Sequence, residues 1–420
     1  MGAFWHGSSR WLAACVTIVV SCIPCVTAAE GLALSLTEAL ERSSEHAPEL
    51  VLAERQIIET QARREGAGVV MPVNPRLQVE ARPAITGGSF LGDLGYAAML
   101  DTSFDLGGAP GARVREVQRD VELARAQRNV ERVSARLRVV AAYLGAQLAD
   151  LQASAARQGL ELAQRVLAAA DKRIEAGAGS EFEHVTAQLE VSRIEAAEQA
   201  ALRERDERTM QLRDALDLPA EQALVLTTRI DTPAPLSGVQ SYLTSAQKNH
   251  PELLSAQARL RSLQATRERL ERETFPKLGL YAGVDAAPLS PVFGILGVSG
   301  ELPVAQRNQG PRAVTARALE TERARYALQQ RRIAREVRGA WDAHERRRAE
   351  YALLSQSALP AAERSFELAE AGFRAGRFDW FRVALATRDL FELRGARIEA
   401  LAALWTQRVL LARAQGGDVP

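Results

Sequence analysis

The sequence predicts a mainly α-helical protein with membrane β-barrel strands, in which one structural unit occurs twice. Only 5% of its 420 residues are aromatic, whereas Ala, Leu, Arg, Glu and Gln are abundant. This composition is typical of long helices that pack through small side chains. The chain also repeats itself after roughly half its length, and each copy reads as a helix, two short strands and two long helices. We therefore expect an elongated molecule.

The charge of the chain is balanced, with 53 Lys and Arg residues against 52 Asp and Glu residues. A protein that binds nucleic acid would favour a clear excess of basic residues. We therefore expect no nucleic-acid partner. The arginine clusters of the second half are interleaved with glutamates, a pattern that indicates a solvated helix face.

The first 28 residues are typical of a secretory signal peptide. Arg10 provides positive charge, the apolar run at residues 11–20 is too short to span a bilayer, and small residues precede Ala28. We expect cleavage after Ala28. In an alternative interpretation, residues 19–22 form a lipobox, and Cys22 becomes the lipid-anchored first residue of the mature chain.

All three cysteines of the chain lie inside this segment, at Cys15, Cys22 and Cys25. Cleavage after Ala28 would leave no disulfide, no thiolate metal site and no cysteine nucleophile. Beyond the signal, no run of about 20 apolar residues occurs, so we expect no transmembrane helix. A secreted chain can still enter an outer membrane as β-strands.

Four pairs of short motifs define the internal repeat. The pairs are residues 47–50 with 250–253, 74–77 with 275–278, 111–113 with 310–312, and 176–177 with 375–376. The last two pairs are each separated by 199 positions, so the 64 residues from Arg113 to Ala176 have the same length in both copies. We place the first repeat at residues 29–230 and the second at residues 231–420.

Each copy is predicted to hold a first helix, at residues 36–66 or 240–273, and then a very long helix. At 1.5 Å per residue, 64 helical residues form a rod of about 95 Å. An apolar stripe at steps of three and four indicates coiled-coil packing of the first rod. It comprises Val130, Val133, Leu137, Val140, Leu144, Leu148, Leu151 and Ala155. Return helices are expected at residues 181–216 and 378–413, after glycine turns.

Four runs of about ten residues are strand candidates, at residues 77–85, 96–106, 278–286 and 292–302. This is the length of a tilted strand that spans a membrane. Two hairpins leave unpaired edges, which lipid does not tolerate unless a barrel closes. Four strands cannot close a barrel, so we expect the barrel to be shared between several copies of the chain.

In this duplicated order, the sequence resembles the TolC-like outer-membrane efflux proteins over about residues 34–414. Four motifs look most like the CzcC-type branch associated with heavy-metal export: residues 36–40 with 48–50, Asn74-Pro75, residues 105–108, and residues 111–113. The resemblance implies a homotrimer with a twelve-stranded barrel in outer-membrane lipid and a periplasmic helical tube. It also implies a periplasmic adaptor, an inner-membrane RND-type transporter, and passive transport without a cofactor or enzymatic activity.

The sequence departs from the best-known members of that family at the helical tip. Those proteins carry aspartates at the sixth and ninth positions after the glycine of the second turn, where this chain has Arg382 and Leu385. A ring that mixes Arg382 with nearby carboxylates is one interpretation, and steric closure by Phe378, Trp380 and Phe381 is another. The candidate tip and gate residues are Gly177, Glu181, Glu183, Gly376, Asp379 and Arg382.

Other candidate sites are weak. His46, His184, His250 and His344 have no ligand partner at helical spacing, so we expect no dedicated metal site. The glycine-rich run at residues 107–111 lacks the Gly-Lys-Ser/Thr of a phosphate loop and reads better as a bend between strand and helix.

The sequence leaves three classes of function open. The first is a passive export channel, for heavy-metal cations or alternatively for drugs, small molecules or type I secretion. The second is a periplasmic coiled-coil adaptor, which predicts one helical hairpin flanked by β domains. The third is a secreted enzyme, for which the sequence offers no catalytic constellation.

Overall fold

The computed structural model describes residues 32–83, 94–219, 222–287, 291–301 and 303–417. The expected signal peptide, with Ala28 and Cys22, lies outside the described residues. The expected strand ends at Ile85 and Leu302 also lie outside them.

The described chain follows the predicted duplicated order. The first repeat contains β1 (Leu32–Leu34), α1 (Leu36–His46), α2 (Pro48–Ala62), α3 (Arg64–Ala67), β2 (Arg76–Pro83), β3 (Leu94–Asp105), α4 (Ala109–Glu175) and α5 (Glu181–Ala215). Strand β4 (Leu224–Leu226) follows near the end of the predicted first repeat. The second repeat contains α6 (Val239–Asn249), α7 (Pro251–Arg272), β5 (Lys277–Ala286), β6 (Phe293–Glu301), α8 (Gln309–Leu353), a π-helical turn (Leu354–Ala358), α9 (Leu359–Arg374) and α10 (Trp380–Gln415). At 67 residues, α4 is a rod of about 100 Å.

The prediction of one continuous first helix in each repeat is wrong. Ala47 separates α1 from α2 with φ −60° and ψ 123°, and His250 separates α6 from α7 with φ −61° and ψ 122°. Each of these residues precedes a proline, Pro48 or Pro251, and a proline ring disfavours helical geometry in the residue before it. The two helices of each pair therefore meet at a bend.

The long helix of the second repeat also differs from the prediction. The N–H of Leu359 bonds to the carbonyl of Leu354, five residues earlier, which makes residues 354–358 a π-helical turn. Pro360 follows directly, has no N–H to donate, and would clash with a carbonyl in a regular α-helix. The extra residue in the turn accommodates this proline without ending the rod.

The predicted hairpins are confirmed, and they pair with each other in one antiparallel sheet of order β2-β3-β5-β6. The central pairing joins β3 and β5 from Tyr96 opposite Ala286 to Asp105 opposite Lys277. Within this chain, β2 and β6 are the two edge strands, one from each repeat.

A second, small sheet joins the start of the first repeat to the segment just before the second, and it was not anticipated from the sequence. Strands β1 and β4 pair in parallel, with Leu32 opposite Leu224. The buried Tyr143 of α4 donates its hydroxyl hydrogen to the Leu34 carbonyl at 2.9 Å and accepts from the Thr228 N–H at 3.2 Å. This sheet is therefore fixed to the side of the long helix.

The helices form two rows that share α4. Towards the four-stranded sheet, the helices pack in the order α2-α4-α7-α8. Polar contacts join each neighbouring pair: Arg138 with Glu49 at 2.6 Å, Ser262 with Asp120 at 2.6 Å, and Gln329 with Glu252 at 2.8 Å. Towards the glycine turns, the order is α5-α4-α10-α9. Each row ends in one helix of the first repeat, α2 or α5, and one helix of the second, α8 or α9. In the described chain, the outer side of each end helix has no further helix packed on it, and we call this side a free edge.

The predicted coiled-coil stripe of α4 is confirmed in part. Leu137, Val140, Leu144 and Leu148 are buried, whereas Leu151 is exposed. Because α4 has neighbours on more than one side, it also buries a second set of mainly small residues, including Ala146, Ala153 and Ala163. Within the described ranges, none of the helices is both long enough and apolar enough to cross a membrane.

Candidate docking tip

The two helical hairpins reverse direction through turns of the same construction. Gly177 has φ +67° and Gly376 has φ +69°, a left-handed backbone that glycine adopts without strain. The N–H after each glycine bonds back across the turn, from Ala178 to the Arg173 carbonyl at 2.9 Å and from Arg377 to the Gly372 carbonyl at 2.8 Å. This is the Schellman motif, and it confirms the predicted left-handed glycine turns.

Each return helix begins with a side-chain cap. Ser180 accepts a hydrogen bond from the Glu183 N–H at 3.2 Å, and Asp379 accepts one from the Arg382 N–H at 3.2 Å. Such caps satisfy amides that have no partner in the helix and typically stabilise it by about 1 kcal/mol. The Asp379 carboxylate is therefore used to start α10.

The two hairpins share an apolar core just behind the turns. It combines Leu162, Val166 and Ala170 of α4, Ala187 of α5, Ala362, Phe366, Ala369 and Phe373 of α9, and Trp380, Val383, Ala386 and Leu390 of α10. Trp380 belongs to this core and is 4% exposed. The interpretation of Trp380 as part of a steric plug is wrong, because its ring packs between the hairpins. Phe381 is exposed, and Phe378 is half-buried.

The turns carry opposite charges at equivalent positions of the repeat. Residues 175–183 contain Glu175, Glu181 and Glu183 and no basic residue. Residues 374–382 contain three arginines and one acidic residue: Arg374, Arg377, Arg382 and Asp379. The net charges are thus −3 and +2. The end of the molecule therefore presents an acidic turn beside a basic one.

Arg173 connects the two hairpins. Its guanidinium lies 4.7 Å from the centre of the Phe373 ring in α9, donates to the Ala178 carbonyl at 3.1 Å, and approaches Glu183 at 3.9 Å. Cation–π contacts of this kind contribute about 0.5–2 kcal/mol, more when water is excluded. Phe373 is buried, so Arg173 holds the first turn against the second hairpin.

Arg382 makes a different contact. Its guanidinium lies 5.1 Å from the centre of the Phe378 ring, within its own turn. Phe378 in turn packs on Gly372, where a Cβ atom would overlap the phenyl ring. Within the described part of a single chain, Arg382 forms no ion pair with Asp379, Glu181 or Glu183. Pairing of Arg382 with a carboxylate of a neighbouring copy stays a prediction. Glu181 is exposed, and Glu183 faces Arg173 instead.

Comparison with known proteins decides the family. The family model described as "Outer membrane efflux protein" matches residues 74–217 and 242–417. The chain belongs to this family. Its members are passive outer-membrane channels of tripartite efflux systems, which work with an adaptor and an inner-membrane pump. The protein is therefore an outer-membrane efflux channel and not an enzyme.

Several relatives of this efflux channel are known. It is 28% identical over 305 residues to the cobalt-zinc-cadmium resistance protein CzcC of Cupriavidus metallidurans, covering 71% of each chain. It is 27% identical over 217 residues to the nickel-cobalt-cadmium resistance protein NccC of Alcaligenes xylosoxydans xylosoxydans, covering 49% of this chain and 46% of that one. The outer-membrane channel OprN has the same fold, with a TM-score of 0.75 at 19% identity over 91% of this chain and 90% of that one.

Sequence reasoning located the turns of the efflux channel but missed the Arg173 contact. A signal was present in the repeat. At a spacing of 199 positions, Arg173 corresponds to Gly372 and Gly179 corresponds to Phe378. In the first copy, the helix carries the large residue and the loop carries the glycine. In the second copy, the helix carries the glycine and the loop carries the large residue. This exchange marks the positions where the side chains of the turns pack.

Three of the histidines have structural surroundings that the sequence did not show. His184 Nδ1 lies 2.6 Å from Asp171 Oδ1, and His250 accepts a hydrogen bond from the Glu252 N–H at the start of α7. Burial lowers the pKa of His250. Burial and the neighbouring Arg408 lower the pKa of His344, which is fully buried. In the part of the chain that the structure describes, no three His, Cys, Asp or Glu residues are grouped as metal ligands.

The Arg173 contact between the two hairpins leads to a prediction about channel conductance. We expect Arg173→Gln to raise single-channel conductance in planar bilayers, because it removes a cation–π contact of about 1 kcal/mol between the hairpins of each chain. Arg157→Gln is the matched control, since Arg157 is exposed on the same helix and pairs only with Glu161, four residues along α4. An equal rise in both variants, or no rise in either, would contradict the assignment of Arg173 as the bridge.

Proposed function

We propose that this protein is the homotrimeric outer-membrane channel of a heavy-metal efflux system, and that it exports cations delivered by an RND-type pump through a periplasmic adaptor. The observation that carries the substrate class is the similarity to CzcC and NccC, whose names record resistance to cobalt, zinc, nickel and cadmium. The observation that supports assembly is the pattern of free edges along the molecule.

The free edges are arranged for pairing with further copies of the same chain. On one side they are β2, α2 and α5, all from the first repeat, and on the other side they are β6, α8 and α9, all from the second. A head-to-tail arrangement brings the first-repeat edge of one copy against the second-repeat edge of the next. Three copies would bring twelve strands into one closed barrel in outer-membrane lipid, without exposed edges.

The free face of α5 is suited to such contact. Ala187, Ile194 and Leu212 pack on α4, and residues two positions away point about 200° from them. The exposed stripe on that far side runs at steps of three and four through Phe182, Val185, Leu189, Ser192, Ala196, Gln199, Arg203, Asp206 and Met210. This is the spacing of a coiled-coil seam, left without a partner in the single chain.

The opposite edge of the chain also exposes apolar side chains. Leu368 of α9 lies two positions from the buried Phe366, and Leu328 and Leu353 of α8 are exposed as well. On the first-repeat side, Leu52 of α2 is 70% exposed. We infer that these side chains are covered when neighbouring copies pack together.

We further propose that the tip formed by the two turns docks the adaptor. In a trimer, acidic and basic turns would alternate around the end of the tube. Complementary charges across an interface fix its register and speed up association. Gly177 and Gly376 shape the turns, and Glu181, Glu183, Asp379 and Arg382 are the charged residues offered to the partner and to the pore.

The proposal is tested by removing the gene in the natural host. We expect the deletion strain to become sensitive to zinc, cobalt and cadmium salts, and the wild-type gene to restore resistance only when the cognate pump and adaptor are present. Sensitivity to antibiotics without a change in metal resistance would favour the drug-efflux alternative. Loss of a secreted protein from the medium would favour type I secretion.

A further inference from the structure

The C-terminal half of α10 carries a buried arginine that has no counterion in the part of the chain that the structure describes. Arg408 is 8% exposed, and its Nη1 atom is fully buried without a hydrogen-bond partner. Among the described residues, Arg408 is in no ion pair. A buried guanidinium without an opposite charge costs several kcal/mol relative to one in water, so such a residue calls for an anion nearby.

The neighbouring titratable groups do not provide that anion. His344 faces Arg408 from α8, and its Nδ1 atom lies 3.6 Å from Glu345 Oε1, beyond hydrogen-bond distance. Its pKa is lowered by burial and by Arg408, so the ring is neutral at neutral pH. Glu345 lies beside His344, but its carboxylate binds Arg348 at 3.0 Å.

Arg408 lines a cavity of about 460 Å³ between α6 and α10 that is rich in hydrogen-bonding groups. The polar lining consists of Ser237, Ser241, Tyr242, Ser245, Arg408 and Gln415. The Ser241 hydroxyl donates to the Gly238 carbonyl at 2.8 Å and accepts from the Ser237 hydroxyl at 2.9 Å, so both of these hydrogens are used. The Ser245 hydroxyl accepts from Gln415 at 3.1 Å, and its own hydrogen has no acceptor among the described residues. The Tyr242 hydroxyl makes no hydrogen bond within the described chain. Ser245 and Tyr242 can therefore donate to an incoming anion.

One side of α6 forms the wall of the cavity opposite Arg408. Ser241, Tyr242 and Ser245 of α6 line it, whereas Val239 and Gln240 at the start of the helix do not. The helix therefore contributes side-chain hydroxyls to the cavity.

We propose that the cavity between α6 and α10 binds a small oxyanion, of the phosphate or sulfate class, with Arg408 as its cationic partner and the Ser245 and Tyr242 hydroxyls as further donors. Arginine is suited to this ligand because its planar donors match two oxygens of one oxyanion. The bound anion would fix α6 to α10 at the level where the two rows of helices meet. This site is independent of the exported substrate.

The test uses the full-length channel, purified in detergent, with inorganic phosphate as the probe at constant ionic strength set by chloride. We expect phosphate to raise the thermal unfolding midpoint in a saturable manner, by about 2 °C or more at high occupancy. Titration calorimetry of the same protein should show binding with one phosphate per chain.

Arg408→Met keeps the approximate length of the side chain and removes its charge. We expect it to abolish the phosphate response while leaving the midpoint in chloride unchanged or higher, because an unpaired buried charge is lost. The matched control is Arg388→Met, which removes an exposed charge from the same helix and should keep the full response. If Arg408→Met fails to fold, Arg408→Lys should still fold and bind phosphate at least tenfold more weakly.

One more variant distinguishes a free oxyanion from a carboxylate of the chain itself. Asp418 lies outside the described residues, close in sequence to Gln415. If phosphate binds to the Asp418→Asn variant but not to the wild type, the Asp418 carboxylate is the natural partner of Arg408. The proposal of a free oxyanion is then overturned. Absence of phosphate binding in the wild type and in every variant overturns it as well, as does an equal response in wild type and Arg408→Met.

Discussion

Glutamate at both Val185 and Leu189 is expected to leave the chain folded and to abolish its assembly. Both side chains are exposed in the single chain, on the face of α5 that points away from α4. Assembly would bury them, and burial of an unpaired carboxylate in an apolar contact costs several kcal/mol. Loss of the apolar contact itself adds roughly 1–2 kcal/mol for each residue. Every seam of a trimer would carry both costs.

The measurement is crosslinking in membranes, followed by size determination of the detergent-extracted protein. We expect the wild type to yield trimers and the double variant to yield monomers with unchanged helix content. Gln188→Glu is the matched control, because Gln188 is exposed on the same helix but points to the side of the stripe. Trimers in the double variant would show that the free face of α5 is not the seam. Loss of trimers in Gln188→Glu would show that the effect is not specific to it.

Valine in place of Gly177 and Gly376 is expected to reduce export about tenfold or more while trimers still form. A Cβ atom would meet no other atom at either position, so the cost is conformational and comes from the positive φ. A β-branched residue in the left-handed region costs roughly 1–2 kcal/mol or more, which is enough to shift a turn to another conformation. Both turns would then lose the Schellman hydrogen bonds that define their shape.

The readouts are metal resistance of the complemented strain and crosslinking of the tip to the adaptor. We expect both to fall about tenfold or more in the double variant, as a loss of about 1.4 kcal/mol in docking would produce. Asparagine at the same two positions is the matched control, because it tolerates the left-handed region better than valine. Unchanged resistance and crosslinking in the valine variant would remove the turns from the docking surface.

Much of the fold could be predicted because its signals are local or periodic. Gly177 and Gly376 were recognisable as turn residues from the repeat, and their backbone has the expected positive φ. The predicted strands differ from the observed ones by one or two residues at the ends that the structure describes. The breaks at Pro48 and Pro251 had an equally local cause, but the helical pattern on either side concealed them.

The side-chain contacts of the charged tip could not be predicted from the sequence. Asp379 and Arg382 are three residues apart, and an ion pair between their side chains was a reasonable expectation. In the structure the aspartate caps α10 through the Arg382 backbone, and the arginine side chain lies over Phe378. The backbone amide and the side chain of one residue compete for the same carboxylate. Only the conformation of the turn decides between them.

The sequence by itself determined the duplicated order, the lengths of the long helices, the positions of the glycine turns and the membership in a channel family. These features depend on residues that are close in sequence, or on one pattern written twice. The tertiary structure alone decided that Arg173 meets Phe373, that Trp380 is buried between the hairpins, and that Arg408 lies beside His344 with no counterion among the described residues. Such contacts depend on how two packed rods are aligned and rotated, and a shift of one residue turns a helical side chain by about 100° onto another face.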